Sequence, residues 1–123
     1  MSVIIKNSKI QGKGVFANAN FRKGHTIMSW DASMILTENK AKKIPIRYRK
    51  YLVFHKGKYI ISQSPEKYLN HSCEPNTKEG NLRDIAIRGI KKGEELTTDY
   101  SIDAPHHYKM KCNCKSRKCR KII

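Results

Sequence analysis

Apolar residues fall in short runs between Gly, Pro and Asn punctuation, at 2–5, 14–17, 25–30, 59–62, 84–88 and 95–98. Runs of this kind, rich in β-branched residues and bounded by turn formers, read as strands, so the pattern predicts a mostly β chain. The best helical stretch is 38–54, with Thr37 placed to cap its N-terminus. Pro45 interrupts it: proline lacks the amide donor and its ring crowds the preceding turn, which predicts two short helices rather than one long one. Phe21-Arg-Lys-Gly24 and Ile90-Lys-Lys-Gly93 share the order apolar, basic, basic, glycine ahead of a strand-like run. That order suits a tight turn with glycine at positive φ.

At 123 residues the chain has the size of one domain. Roughly two-thirds of the unfolded surface is buried on folding at this length, enough for one core with little in reserve, so a cross-linking device would help. The N-terminal apolar stretch is too short for a secretion signal, and no run reaches the roughly 20 apolar residues of a membrane span. We therefore expect an intracellular protein without a membrane, whose four cysteines hold metal rather than disulfides. The formal charge of +16 exceeds what solubility requires and implies a polyanionic partner, nucleic acid or nucleoprotein among them. No acid lies between Glu38 and Glu66, a stretch with eight Lys and Arg, and none follows Asp103, where there are seven more. Most carboxylates lie between Glu66 and Asp103.

Cysteine spacing carries the most local chemistry. Cys112, Cys114 and Cys119 place three thiols within eight residues, and Cys73 is the thiol left to complete a tetrahedral four-sulfur zinc site. His106 and His107 stand as alternative ligands. Such a clip would anchor a polar, basic tail that has little apolar content of its own. Tyr68-Leu-Asn70-His71-Ser-Cys73-Glu-Pro-Asn76 is dense in groups that both donate and accept. By itself it fits a turn with a structural histidine as well as it fits a ligand site. Gly93-Glu-Glu-Leu-Thr-Thr-Asp-Tyr100 reads as a turn, a strand and a tyrosine, which in isolation is a core or rim residue. Gln11-Gly12-Lys13-Gly14 precedes a strand but is neither a dinucleotide fingerprint nor a P-loop.

In combination and in order, these segments resemble the SET-domain family of protein lysine methyltransferases over nearly the whole chain. Gly12-Lys-Gly14-Val-Phe16-Ala resembles the family's first motif, Asn70-His-Ser-Cys-Glu-Pro-Asn76 its NHSCxPN motif, and Gly93-Glu-Glu-Leu-Thr-Thr-Asp-Tyr100 its GEELTxDY motif. Cys112-x-Cys114-x₄-Cys119-Arg120 resembles the post-SET motif. The resemblance implies a SET domain at 1–103, a zinc-binding post-SET segment at 104–123, and small curved β-sheets. It also implies a C-terminal pseudoknot, a rare exception to unthreaded topology, that gathers Asn70, His71 and Tyr100.

It further implies transfer of a methyl group from S-adenosylmethionine to a lysine of a basic protein segment, a histone or another DNA-associated protein. The place would be the nucleus or chromatin in a eukaryote, the cytoplasm or nucleoid in a microbe. By resemblance, Tyr100 and Tyr51 are catalytic. Gln11, Gly12, Lys13, Asn70 and His71 bind the cofactor. Cys73, Cys112, Cys114 and Cys119 hold Zn²⁺, and Ile122 closes the lysine channel. The chain departs from the family at Trp30-Asp-Ala32, at Ser64-Pro-Glu-Lys-Tyr68, and at Thr98, where an aromatic ring is common; the smaller Thr implies room for more than one methyl. The acids from Glu74 to Asp103 are expected to attract a basic substrate. The alternative reading is a catalytically inactive SET-like module that binds nucleic acid or chromatin.

Overall fold

The β-branched run Val3-Ile4-Ile5 and the run Val15-Phe16-Ala17 give the chain its first hairpin. The computed structural model describes residues 2–103 and 111–123, and in it β1 (Val3–Asn7) pairs antiparallel with β2 (Lys13–Ala17), Val3 opposite Ala17 and Ile5 opposite Val15. β1 is the edge strand, with Ile4 and Ile5 about one-third exposed. β2 is covered on its other side by β10 (Glu95–Thr98), antiparallel, with Leu96 opposite Val15. The other edge of β10 pairs in parallel with the two-residue β7 (Asn70–His71), Thr97 opposite Asn70 and Thr98 opposite His71. Val15 and Leu96 are fully buried, and Val3, Ala17, Ile27, Leu69, Ala86 and Ile90 complete the core.

Two further three-stranded sheets surround this one. The first orders β3 (Thr26–Ser29), β9 (Arg83–Ala86) and β8 (Thr77–Glu79). The second orders β4 (Ile35–Leu36), β6 (Lys58–Ile61) and β5 (Leu52–His55), with α1 (Glu38–Lys42) and a 3₁₀ helix at Ile46–Tyr51 inserted between β4 and β5. Buried Ala41, Leu52 and Ile60 give this lobe its apolar contacts. A second 3₁₀ helix, Glu66–Tyr68, leads into β7, and α2 (Tyr100–Asp103) follows β10. No helix of the described residues is long and apolar enough to cross a membrane.

The mostly β architecture and Thr37 cap match expectation: Thr37 Oγ1 accepts from Lys40 N at 3.2 Å. The two matching turns pair with each other, Phe21 and Ile90 exchanging backbone hydrogen bonds, with Gly24 and Gly93 at φ +90° and +97°. The helix expected over 38–54 is corrected at its end, because 52–54 are strand. Val53 and Phe54 are β-branched and aromatic, and they pair with Ile60 and Tyr59. β4, β7 and β8 are only two or three residues long, too short to show a period of two. His106 and His107 lie outside the described residues, beside the expected 103/104 junction.

Glu66 carries an unusual burden. It is 6 % exposed; its Oε1 accepts from Asp31 N at 3.0 Å, while Oε2 has no hydrogen-bond partner among the described residues. Burial raises its pKa above the ordinary glutamate value, outweighing the backbone donors that pull the other way. A carboxyl whose pKa is raised on folding stabilises at low pH, and that contribution is lost as pH rises through the folded value. Glu66→Gln keeps an acceptor for Asp31 and removes the charge. It is expected to melt higher than the native protein at about pH 7.5, with the gap closing as pH falls toward the ordinary value; an equal or lower melting temperature at the higher pH would contradict this.

Candidate active site and thiolate cluster

The parallel junction of β7 and β10 brings the expected site residues together. Asn76, six residues after Asn70, acts as a surrogate strand beside β10. Its Nδ2 donates to Glu95 O at 2.9 Å and its Oδ1 accepts from Thr97 N at 2.9 Å. Thr77 Oγ1 donates to Thr97 O at 2.8 Å. With β2 on one side and β7 on the other, β10 leaves its end, Asp99-Tyr100, at a fixed place.

Asn70 Nδ2 reaches Gln11 O at 3.1 Å, Lys13 O at 3.0 Å and Glu95 Oε2 at 3.0 Å. Ser8 Oγ donates to the same Glu95 carboxylate at 2.8 Å and accepts from Ile10 N at 2.9 Å. The loop through Gln11, Gly12 and Lys13 is thereby stitched to β7 and β10. Gly14 is required for that stitch: a Cβ there would lie 2.4 Å from Glu95 Oε2. Among the described residues no donor reaches Asn70 Oδ1, which is left as an acceptor.

His71 is 3 % exposed. Its Nδ1 accepts from Tyr100 N at 3.0 Å, so Nδ1 carries no proton, and Nε2–H faces Cys73 Sγ at 3.3 Å. Burial first, and Arg120 second, hold its pKa below the ordinary histidine value, against the Asp99 carboxylate 3.7 Å away. The ring is a neutral strut rather than half of an ion pair. The Tyr100 ring meets it edge-on at 5.5 Å, and the Tyr100 hydroxyl donates to the Leu69 carbonyl.

Two clefts adjoin at this point. One, of about 420 Å³, is lined by Gln11, Gly12, Lys13, Tyr51, Lys67, Tyr68, Asn70 and Tyr100. The other, of about 320 Å³, is lined by Ile10, Gln11, Asn70, His71, Tyr100, Lys111 and Asn113. Gln11, Asn70 and Tyr100 belong to both. Tyr51 thus shares a wall with Tyr100. Lys67 places its ammonium 5.0 Å from the Tyr68 ring centre and 5.8 Å from that of Tyr51. Ile122 lines neither cleft; it is 64 % exposed and bridges to Lys111. Trp30 is held elsewhere, Nε1 donating to Asp84 Oδ2 at 2.7 Å.

The Sγ atoms of Cys73, Cys112, Cys114 and Cys119 all lie within 4.8 Å of one another, Cys73 and Cys112 at 3.8 Å. A disulfide needs about 2.05 Å, whereas four sulfurs about 2.3 Å from a tetrahedral ion stand about 3.8 Å apart. The donor set fits such an ion. Burial pushes the Cys112 thiol up to about 12. Burial acts the same way on Cys114, but the backbone amides of Cys73 and Ser116 and the thiols of Cys112 and Cys119 bring it down to about 6. Crowded thiols that cannot all keep or all lose their protons are what a cation would relieve. Amides of Arg120 and Lys121 point at Cys73 and Cys119 Sγ, at 3.3 and 3.4 Å.

The post-SET resemblance included Arg120 but gave it no role. Its Nε donates to Cys73 Sγ at 3.3 Å, and its Nη atoms to Asp99 Oδ1 at 2.8 Å and Ser101 Oγ at 3.1 Å, binding the cluster to the turn that bears Tyr100. Burial raises Asp99, but the hydrogen bonds from Ser101 and Arg120 outweigh it and keep the carboxyl below its usual range. Of the seven acids expected to draw a basic substrate, six bond groups of this chain, and nothing is described of the Asp103 side chain. Glu74 bonds Ser116; Glu79 faces His55; Asp84 is buried on Trp30; Glu94 pairs with Arg88; Glu95 holds Ser8 and Asn70; Asp99 holds Arg120. These acids are engaged internally.

The SET-domain model matches residues 12–101. The chain belongs to the SET-domain family. It is 31% identical over 137 residues to human histone-lysine N-methyltransferase 2D, covering 98% of this chain and 2% of that protein. It is 27% identical over 135 residues to the H3 lysine-36 specific histone-lysine N-methyltransferase of Candida glabrata, covering 96% of this chain and 19% of that protein. The SET-domain chain therefore spans a small part of the length of these relatives. Its fold matches one in an inhibitor-bound, humanized mutant of the Chaetomium thermophilum Polycomb Repressive Complex 2, with a TM-score of 0.71 at 21% identity, over 85% of this chain and 15% of that one.

Proposed function

We propose that this SET domain methylates a lysine side chain of a basic, DNA-associated protein, using S-adenosylmethionine as donor, with Zn²⁺ in the thiolate cluster. The observation that carries the reading is the wall common to the two clefts: Gln11, Asn70 and Tyr100 border both. An in-line transfer needs two ligands that approach one point from different sides, and alignment is most of what the protein must supply. The names of the relatives, histone-lysine N-methyltransferases, support the class of substrate.

S-adenosylmethionine supplies a methyl group on a positively charged sulfur. This chain's residues do the rest. The loop through Gln11, Gly12 and Lys13, held by Asn70 and Glu95, offers backbone groups to the donor. Asn70 would hold its amino-acid end, and the main chain of His71 its adenine. The Tyr100 hydroxyl, fixed on the Leu69 carbonyl, would orient the methyl group and stabilise the charge that develops on transfer. Tyr51, Tyr68 and Tyr100 make an aromatic wall for the incoming lysine. A free lysine has a pKa near 10.4, so roughly one in a thousand is neutral at pH 7.4. Removal from water and the nearby Lys67 cation both favour the neutral amine, and proton loss needs no dedicated base.

The decisive assay incubates the protein with labelled S-adenosylmethionine and purified histones or other basic proteins. Label is expected on lysine. Tyr100→Phe removes only the hydroxyl and should lower turnover by about a hundredfold or more with donor affinity little changed, whereas Asn70→Ala should weaken donor binding. Near-native turnover in Tyr100→Phe would overturn the mechanism. Metal analysis is expected to find one zinc per native chain and to find it lost in Cys114→Ser, together with a lower melting temperature. A native protein free of zinc, with four titratable thiols, would contradict the metal assignment.

A further inference from the structure

The charge of this molecule is concentrated in two places. From β4 to β6, residues 35–61 carry eight Lys and Arg against one acid, Glu38, a net of +7. The tail after Asp103 carries another +7, which leaves the rest of the chain at +2. In the fold, the first stretch becomes one lobe, built on buried Ala41, Leu52 and Ile60. Glu38 is taken by Lys42 at 3.7 Å. Lys40, Lys43, Arg47 and Lys58 are exposed and make no ion pair among the described residues. The 3₁₀ helix at Ile46–Tyr51 adds a feature that a merely solvated face would lack: Ile46 is 76 % exposed, Tyr48 is 47 % exposed, and the Arg47 guanidinium lies 4.8 Å from the Tyr48 ring centre. Exposed Lys and Arg beside an exposed tyrosine suit contacts to phosphate oxygens and sugars.

A second constraint comes from the substrate. On the reading above, the protein must meet a Lys- and Arg-rich segment, yet it is itself at +16, and Glu74, Glu79, Asp84, Glu94, Glu95 and Asp99 each bond groups of this chain. Two polycations repel over about a Debye length, roughly 8–10 Å at physiological salt. A polyanion that binds both removes the conflict.

We propose that the lobe of residues 35–61 docks on the phosphate backbone of duplex nucleic acid, and that the protein meets its basic substrate there. The docking stands on charge and exposure alone; the second half rests on the methyltransferase reading. α1 has five residues, too short for a helix lying in a membrane surface. An acidic protein is the competing partner, and the spread of cations over several elements favours duplex, which offers one charge per about 1.7 Å of axis.

Fluorescence anisotropy with a labelled DNA duplex, across a salt series, tests the docking. The native chain should bind, with log affinity falling linearly in log salt. Neutralising Lys40, Lys43, Arg47 and Lys58 together to Gln should make that slope shallower by roughly 3 to 4 and weaken binding at least about tenfold. The same four changes at Arg22, Lys23, Lys91 and Lys92, also exposed, should do far less. Equal loss in both sets, loss only on neutralising Lys115, Arg117 and Lys118, or a preference for polyglutamate over duplex would each overturn the lobe as the docking surface. In a second arm, methyl transfer to a basic protein is compared free and on DNA. DNA should accelerate transfer by the native chain and not by the lobe variant, with transfer to a short free peptide equal in both. Acceleration that survives in the lobe variant overturns the second half. Absence of transfer in every arm, with anisotropy intact, sinks the methyltransferase reading and leaves the docking.

Discussion

The His71 imidazole receives the Tyr100 amide on Nδ1 and faces Cys73 Sγ with Nε2–H, and so joins the sulfur cluster to the turn that bears Tyr100. It sits on β7, so its place is set by the parallel pairing with β10. It is almost fully buried, and a buried polar group that loses its partner costs about 1–3 kcal/mol. The ring therefore keeps both bonds, and through them the sulfur cluster and the tyrosine turn are held at a fixed distance. Arg120 spans the same gap on the outside, from Cys73 to Asp99 and Ser101. With Nδ1 accepting from the Tyr100 amide, the ring has no proton to offer Asp99 on that side, and Asp99 pairs with Arg120 at 2.8 Å.

That junction depends in turn on β10. Its backbone is satisfied by β2, by β7 and by the amide of Asn76, so a four-residue strand near the C-terminal end becomes the centre of the molecule. Glu95, on the same strand, turns its carboxylate toward Ser8 and Asn70 and fixes the loop that borders both clefts.

This explains what could be read in advance. Three cysteines in eight residues point to a cluster that could hold a metal because coordination geometry is local, and the fourth followed from there being no other thiol. The strands at 13–17 and 95–98 were legible because each is a short β-like run that follows a glycine turn. Asn70, His71 and Asn76 were not interpretable as isolated residues: their partners are 19 to 59 positions away in sequence, and only the motif resemblance grouped them. Lys67 and Arg120 were hidden among 26 basic residues. The acids misled for the opposite reason. Gathered in sequence, they looked like one surface, but the six described from Glu74 to Asp99 bond different parts of the chain, with Glu74 exposed and Glu94 partly so.

The account consequently places recognition away from the acids, in the basic lobe, and chemistry at a wall shared by two clefts. What makes the wall rigid is His71 as a neutral strut. Long-range proton–nitrogen NMR correlation of the His71 ring, in the zinc-loaded protein at neutral pH, reads the proton's position directly. The account predicts a protonated Nε2 and an unprotonated Nδ1. A doubly protonated ring, or a proton on Nδ1, would contradict it, because the Tyr100 amide would then have no acceptor and the link from sulfur to tyrosine would be broken.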